Sequence, residues 1–486
     1  MLMLSCGKSK PDSTPTLISV DKFTIEALPS GESLSIGLTA SHDWAVETED
    51  WISVSPSSGK GGSAKQDVAV KIEANTSDAR TGKIVFSLVG NDRKVTVTVS
   101  QGKGVKGTMT IAEFISKPVS TETFHTISGV ITSIEGYEYG NFYMKDDTGE
   151  IFVYGLTKTN VGKNDQSFSE IGLKEGDFVT ICGPRSEYRN EPQMSTGSLP
   201  AYYVTHTQGK EPAVNYGAYE FVANSTSAGW LELPATSDGD GLQLINHGMT
   251  IGSRPMRNYS LYWDKQKLSP VWVAYALCVK TIGYGKRTDV WDFEPLIDAS
   301  GQPNLSSSYK SASNGKGYDR GHMLPSASRL AYKANLKTFY YTNMTPQESE
   351  FNQGVWQNLE DQVRYWAKNS ATDTLYVVTG ADFNGAEDYV LDNSTPDKKK
   401  VSVPVACYKA LLRKSADGYQ GCAFYLKQSE RNSTLKNYAM SIDELEKKVG
   451  QDFFVNLEKV VDKASADKIE AADPKSDSWW WSNLKQ

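Results

Sequence analysis

Apolar and polar residues alternate with period two in VAVKIEA (68–74) and KVTVTVSQ (94–101), the pattern of strands with one face buried. Short runs of this kind fill residues 18–102, separated by turn residues at regular spacing, and they predict an immunoglobulin-like β-sandwich. Residues 106–206 continue the β pattern: HTISGVITSIEGYEYGNFYMKDDTGEIFVYGL reads as three strands joined by glycine-containing turns, and GLKEGDFVTICGPRSEYRNEPQM adds two more. Residues 207–227 carry little periodicity and read as a linker. From 228 to 486 strands mix with helices. SLYWDKQKLSPVWVAYALCV (260–279) predicts two strands around a proline-containing turn, and NQGVWQNLEDQVRYWAKN (352–369) has the 3.6-residue period of an amphipathic helix. SIDELEKKVG (441–450) opens as a second helix, with Ser441 as N-cap and Glu444 completing a capping box. The overall expectation is multidomain: two N-terminal all-β domains followed by a mixed α+β domain.

Composition changes this picture little, but it bounds the partners. With 51 basic and 58 acidic residues the net charge is −7, so a polyanion site would have to be a local patch. The start, MLMLSCGKSKPDSTPT, ends a short apolar run in Ser5-Cys6-Gly7 and continues as a polar tether over 1–17. It resembles the end of a bacterial lipoprotein signal, which implies lipidation of Cys6 and a membrane-anchored (periplasmic or cell-surface) or secreted protein. Cys182, Cys278, Cys407 and Cys422 are too few and too scattered for a disulfide scaffold or a zinc site. Cys407 and Cys422 fall on two apolar runs that could form a hairpin; two buried free thiols are expected there, with one disulfide as the alternative.

The first β segment carries the W-I-S-V-S-P pattern at 51–56, NTSDARTGKI and a closing VTVSQ, and on these it resembles a BACON domain. That resemblance leaves glycan binding open; Trp44 and Trp51 could stack on sugars but are better read as core. The second segment resembles an OB-fold, through its DDTGEI hairpin and the L-K-E-G-D-x-V run before a later strand. OB-folds present a sheet face to oligonucleotides or oligosaccharides. Tyr137, Tyr139, Phe142 and Tyr143 are candidate stacking platforms, with Lys145, Arg185 and Arg189 as candidate phosphate contacts; a packed barrel with surface tyrosines is the alternative.

Chemistry concentrates in YDRGHMLPSA (318–327), which holds one of only five histidines. A histidine beside a cation is harder to protonate, so His322 next to Arg320 is expected neutral at neutral pH and able to act as a general base. On a strand, residues two apart share a face, so Arg320 and His322 can meet one phosphate, and Gly321 between them leaves the backbone open. Together with YYTNMTPQ (340–347) and FNQGVWQNLE (351–360), in this order, the stretch resembles the DNA/RNA non-specific endonucleases of the ββα-metal class over roughly 245–460. The resemblance implies a sugar-non-specific, metal-dependent phosphodiesterase leaving 5′-phosphate ends. It assigns His322 as base, Asn352 as metal ligand, Glu360 to the ion's outer shell and Asn343 to positioning.

Asp319 would be structural, bonding backbone groups so that Arg320 and His322 face inward. The resemblance also implies an arginine from an earlier strand that stabilises the transition state, for which Arg287 is the best match and Lys286 the alternative. In regular helix, Asn352 and Glu360 would stand about 12 Å and about 80° apart, too far to ligate one ion directly. One amide oxygen plus waters suits Mg²⁺ (with Mn²⁺ or Ca²⁺ able to replace it), whereas zinc would want nitrogen or sulfur. Arg254 and Arg257 are candidate nucleic-acid contacts, and Trp479-Trp480-Trp481 would stack on bases or dock the tail. The competing reading is a lipid-anchored protein that binds glycans or nucleic acid and carries an inactive nuclease-like domain.

Overall fold

The computed structural model describes residues 16–27, 31–73, 75, 78–101, 107–159, 164–210, 224–237 and 241–485. Cys6 and most of the expected linker lie outside them. Chain contacts group the molecule into two compact units, Met1–Thr132 with Met144–Glu211, and Ser133–Tyr143 with Pro212–Gln486.

The alternating runs near the N-terminus form two facing sheets. One is four-stranded and includes Glu32–Ala40 and Gln66–Ile72; the other is five-stranded and includes Arg80–Leu88 and Lys94–Gln101. Their inward positions (Ile36, Leu38, Val68, Val70, Ile84, Phe86, Val97 and Val99) make one core, with Trp44 buried in it. Trp51 is partly exposed and lies under the Arg80 guanidinium, 4.2 Å from its ring centre. The next sheet has eight strands, and Phe124–Gly136 pairs with both Asn141–Asp146 and Phe178–Tyr188, which curls the sheet onto itself. Phe142 is fully buried there, so it is core rather than a stacking platform. Arg185 is also buried, donating to the Ile115 and Ser186 carbonyls and pairing with Glu187 at 3.2 Å; it is spent inside the protein rather than offered to phosphate.

The remaining sheet has seven strands, in the order Leu242–Ile251, Arg254–Asp264, Ser269–Leu277, Thr374–Asp382, Ala406–Ser415, Gly418–Lys427, Ala439–Met440, with antiparallel neighbours. Its long apolar runs follow from burial of both faces. Leu261, Val273, Tyr275, Val377 and Leu411 pack on one side with Trp356 and with Leu359, Val363 and Trp366 of the helix Gln357–Ala367. Tyr262, Trp272, Ala274, Val378 and Leu412 pack on the other with Ile442, Leu445 and Phe453. Pro270 falls within a strand, not in the turn before it. The capping box at Ser441 forms as expected: Ser441 Oγ accepts from the Glu444 amide at 3.1 Å, and Glu444 accepts from the Ser441 amide at 2.9 Å. Cys407 faces Leu426 and Cys422 faces Leu411 across the hairpin, four positions out of register, so both stay free and buried. Among the described residues no helix is long and apolar enough to cross a membrane.

Candidate active site

Tyr318–His322 and Met344–Glu348 form a two-stranded hairpin, with Gly321 opposite Thr345 and His322 opposite Met344. The glycine is required by packing: a Cβ at 321 would lie 2.3 Å from the Gln347 side chain. Alternation then turns Arg320 and His322 toward the same side, into a cavity of about 250 Å³ lined by Arg287, Asn352, Gln353, Gln357, Glu360 and Arg364 as well.

Each side chain is held by something identifiable. Arg320 donates Nη1 to the Leu305 carbonyl at 2.8 Å and lies 3.4 Å above the Trp291 ring centre. His322 sits edge-on between Trp291 and Phe339, at 5.5 and 5.1 Å, and its Nε2 is enclosed without a hydrogen-bond partner among the described residues. Burial, and secondarily the charges of Arg287 and Arg320, push its pKa down to about 3. The imidazole is therefore neutral at neutral pH. Arg287 donates to Asp289 at 2.7 Å and to Ser326 at 3.3 Å, with its guanidinium over Phe339. Lys286, its alternative in the sequence, is not part of the cavity lining.

Asn343 is fully buried. Its amide bonds the Leu324 N–H and donates to the Leu324 and Thr338 carbonyls, which fixes the chain just after His322. Asp319 differs from expectation in its partners. It accepts from side chains, namely Ser349 Oγ (2.8 Å), Asn352 Nδ2 (3.0 Å) and Gln353 Nε2 (2.8 Å), not from backbone groups. Burial alone would raise its pKa, but these donors and Arg320 outweigh it and hold the carboxyl below its ordinary value. We expect Asp319→Ala to cost roughly 10-fold or more in metal affinity, as removal of groups that orient a ligand does. A metal titration of the variant checks this, and unchanged half-saturation would contradict it.

The segment that carries two of Asp319's partners, Asn352 and Gln353, departs from the predicted helix. Residues 352–356 make a wide turn in which Gly354 adopts φ −110°, ψ −115°, and regular helix begins at Gln357–Ala367. Asn352 precedes this irregular turn and Glu360 follows it, and both line the same cavity. Burial raises the Glu360 pKa against the opposing pull of Lys409 and Arg364. Lys409 is fully buried, donates to Thr379 Oγ1 at 2.7 Å and lies under the Trp356 ring.

The donor set fits a hard divalent ion. Asp319 engages the Asn352 amide nitrogen, so the amide oxygen is the atom left for a cation, and Glu360 adds a carboxylate on the same cavity wall. No cluster of three or more His, Cys, Asp or Glu able to hold a metal occurs among the described residues, so water would have to supply most of the shell. That is the arrangement Mg²⁺ prefers and zinc does not.

The other sequence-derived candidates are not among the residues that line this cavity. Arg257 is paired with Glu232 at 2.7 Å beneath Trp230, and Arg254 is exposed at a strand end. Tyr143 (half-buried) and Lys145 (exposed) belong to the Asn141–Asp146 strand. Conversely, Arg364, Gln353, Gln357 and Trp291 were not singled out from sequence. Arg364, four residues after Glu360 on one helix, could have been found by spacing.

Residues 240–460 match the family model for DNA/RNA non-specific endonucleases, and residues 42–102 match that for BACON domains. A nuclease of Nostoc sp. is 31% identical over 223 residues, 44% of this chain and 76% of that protein. A nuclease of Serratia marcescens is 24% identical over 217 residues, again 44% and 76%. A solved EndoG/EndoGI complex aligns with 44% of this chain and 88% of its own at 23% identity, with a TM-score of 0.35.

Proposed function

Because the chain belongs to the DNA/RNA non-specific endonuclease family and is a hydrolytic nuclease, we propose that it cuts DNA and RNA with Mg²⁺ as cofactor, leaving 5′-phosphate and 3′-hydroxyl ends. The observation that carries this reading is the meeting of a neutral His322 with Arg287, Arg320, Asn352 and Glu360 in one small cavity.

In this reading Arg320 and Arg287 hold nonbridging oxygens of the scissile phosphate through charge-assisted hydrogen bonds. His322 takes the proton of a water attacking in line with the 3′ oxygen. Asn352 and Glu360 would hold the divalent ion, Asn352 directly and Glu360 through water; when bound it supplies positive charge against the charge building on the phosphate and the leaving oxygen. Asp319 and Asn343 keep these groups in register. No step needs a ribose 2′-hydroxyl, so both polymers are substrates. The Ser5-Cys6-Gly7 pattern supports a cell-envelope or secreted location.

The test is a metal-restoration series on EDTA-treated enzyme with end-group analysis of the products. Mg²⁺ or Mn²⁺ is expected to restore cutting and Zn²⁺ to fail, with 5′ ends that accept label only after phosphatase treatment. Directly labelled 5′ ends, or cutting that survives EDTA, would overturn the proposal.

A further inference from the structure

A second cavity, of about 590 Å³, flanks the same helix that carries Glu360. Gln357, Glu360 and Arg364 line the active-site cavity, while Asn358, Asp361 and Gln362 line this one. The helix itself, about 10 Å wide, is the partition between them. Asp361 links the two sides, bonding the Arg364 guanidinium and pairing with Lys485 at 2.5 Å.

The rest of the lining comes from the loop 433–436 and from the C-terminal tail (Trp481, Leu484 and Lys485), which lies beyond the family-matched residues 240–460. The tail is firmly placed. Trp480 is fully buried and its carbonyl accepts from Trp366 at 3.2 Å; Gln362 donates to the Asn483 carbonyl and accepts from the Lys485 amide. Its neighbour Trp481 is only partly buried. The indole N–H donates to the Pro474 carbonyl at 2.7 Å, the ring meets Trp366 edge to face, and the Lys436 ammonium stands 5.5 Å from its centre. Lys436 and Lys485 against Asp361 leave the lining with one net positive charge in a chain whose total is −7. The exposed Asn358 amide has no side-chain partner among the described residues.

An aromatic ring held at a cavity wall, cations beside it and a free amide are the elements that take an unstacked nucleotide: a base on the ring, phosphate on the lysine, base edge on the amide. We propose that this cavity is a subsite for a single-stranded stretch of the substrate, seating a base on Trp481 a few nucleotides from the scissile phosphate. The proposal rests on the nuclease reading for its substrate, and it adds a site formed by the tail.

The test compares wild type, Trp481→Leu, Trp481→Ala and Lys436→Ala on a single-stranded DNA 12-mer and on bis(4-nitrophenyl) phosphate, a diester too small to span the helix. Binding of the labelled 12-mer in EDTA is measured alongside. Each Trp481 variant is expected to raise the 12-mer KM and Kd roughly ten-fold or more, the usual effect of losing one stacked base, and to affect the small diester at least ten times less. Lys436→Ala, a change at an exposed side chain, is expected to lower the salt slope of binding by about 0.7, one single-strand phosphate contact. Wild type that binds but never cuts would sink the nuclease reading and leave the subsite standing if the variants bind more weakly. Wild type that cuts, with 12-mer KM, Kd and salt slope unmoved in all variants, overturns the subsite, and so does a loss that falls equally on the small diester.

Discussion

His322→Ala is expected to lower the rate of phosphodiester cleavage roughly 10²–10⁴-fold, the usual contribution of a general base, while leaving the protein folded, with the thermal unfolding profile of the wild type. The side chain is held by contacts with Trp291 and Phe339 and by no hydrogen bond from Nε2 that other residues depend on. Its pKa of about 3 adds a pH signature. The neutral base form persists well below the ordinary value near 6.5, so the acid limb of kcat/KM assigned to His322 should lie below 6.5. The sign for stability follows from linkage. Between pH 6.5 and 3 the unfolded histidine binds a proton that the folded one does not, so its contribution is fully present above 6.5 and declines as pH falls through that window. Full activity in the alanine variant, or an acid limb above pH 7 that vanishes with His322 replaced, would contradict the assignment.

Arg329→Met is expected to have the largest effect on the fold, a loss of about 3–5 kcal/mol, because several buried acceptors would be left unpaired at about 1–3 kcal/mol each. The guanidinium is fully buried and donates to Asn258 Oδ1 (2.9 Å), the Asn258 carbonyl (2.7 Å), the Ala276 carbonyl (2.8 Å) and the Thr281 and Ser328 carbonyls. It thereby ties the loop that follows the catalytic hairpin to two strands of the seven-stranded sheet. Asn335 completes the tie by donating to the Ser326 and Arg329 carbonyls. A urea titration reads the effect, in the transition that unfolds this domain, as a lower midpoint at an unchanged slope; a change under about 1 kcal/mol would mean the loop is held by something else.

The parts of this architecture that were legible in the sequence share a physical reason: they depend on neighbours close along the chain. Period-two alternation marked Lys94–Gln101 and Gln66–Ile72 as strands, and the Ser441/Glu444 pair marked a helix start three residues wide. Arg320 and His322 were assigned to one face by strand geometry, and both line the cavity. The rest depends on where distant segments meet. Nothing local reveals that Trp291 lies under Arg320, or that Lys409 is buried beneath Trp356.

The break at Gly354 has a different cause. An amphipathic pattern is insensitive to one irregular turn, so the run 352–369 reads as unbroken helix although Asp319 engages Asn352 and Gln353 from outside it. Phe142 and Arg185 looked available because aromatic and cationic residues on a β segment fit a binding face as well as a core. Only burial separates the two, and both are buried. Trp480 and Trp481, adjacent in sequence, divide the same way: the first is core and the second lines a cavity.

The most direct test of the central claim is cleavage of supercoiled plasmid and of a single-stranded RNA by the wild-type protein, each with Mg²⁺ and with EDTA, scored on one gel. The account predicts that both polymers are cut with Mg²⁺ and neither with EDTA. Intact plasmid and RNA after incubation of folded protein with Mg²⁺, or cutting of RNA alone, would contradict it.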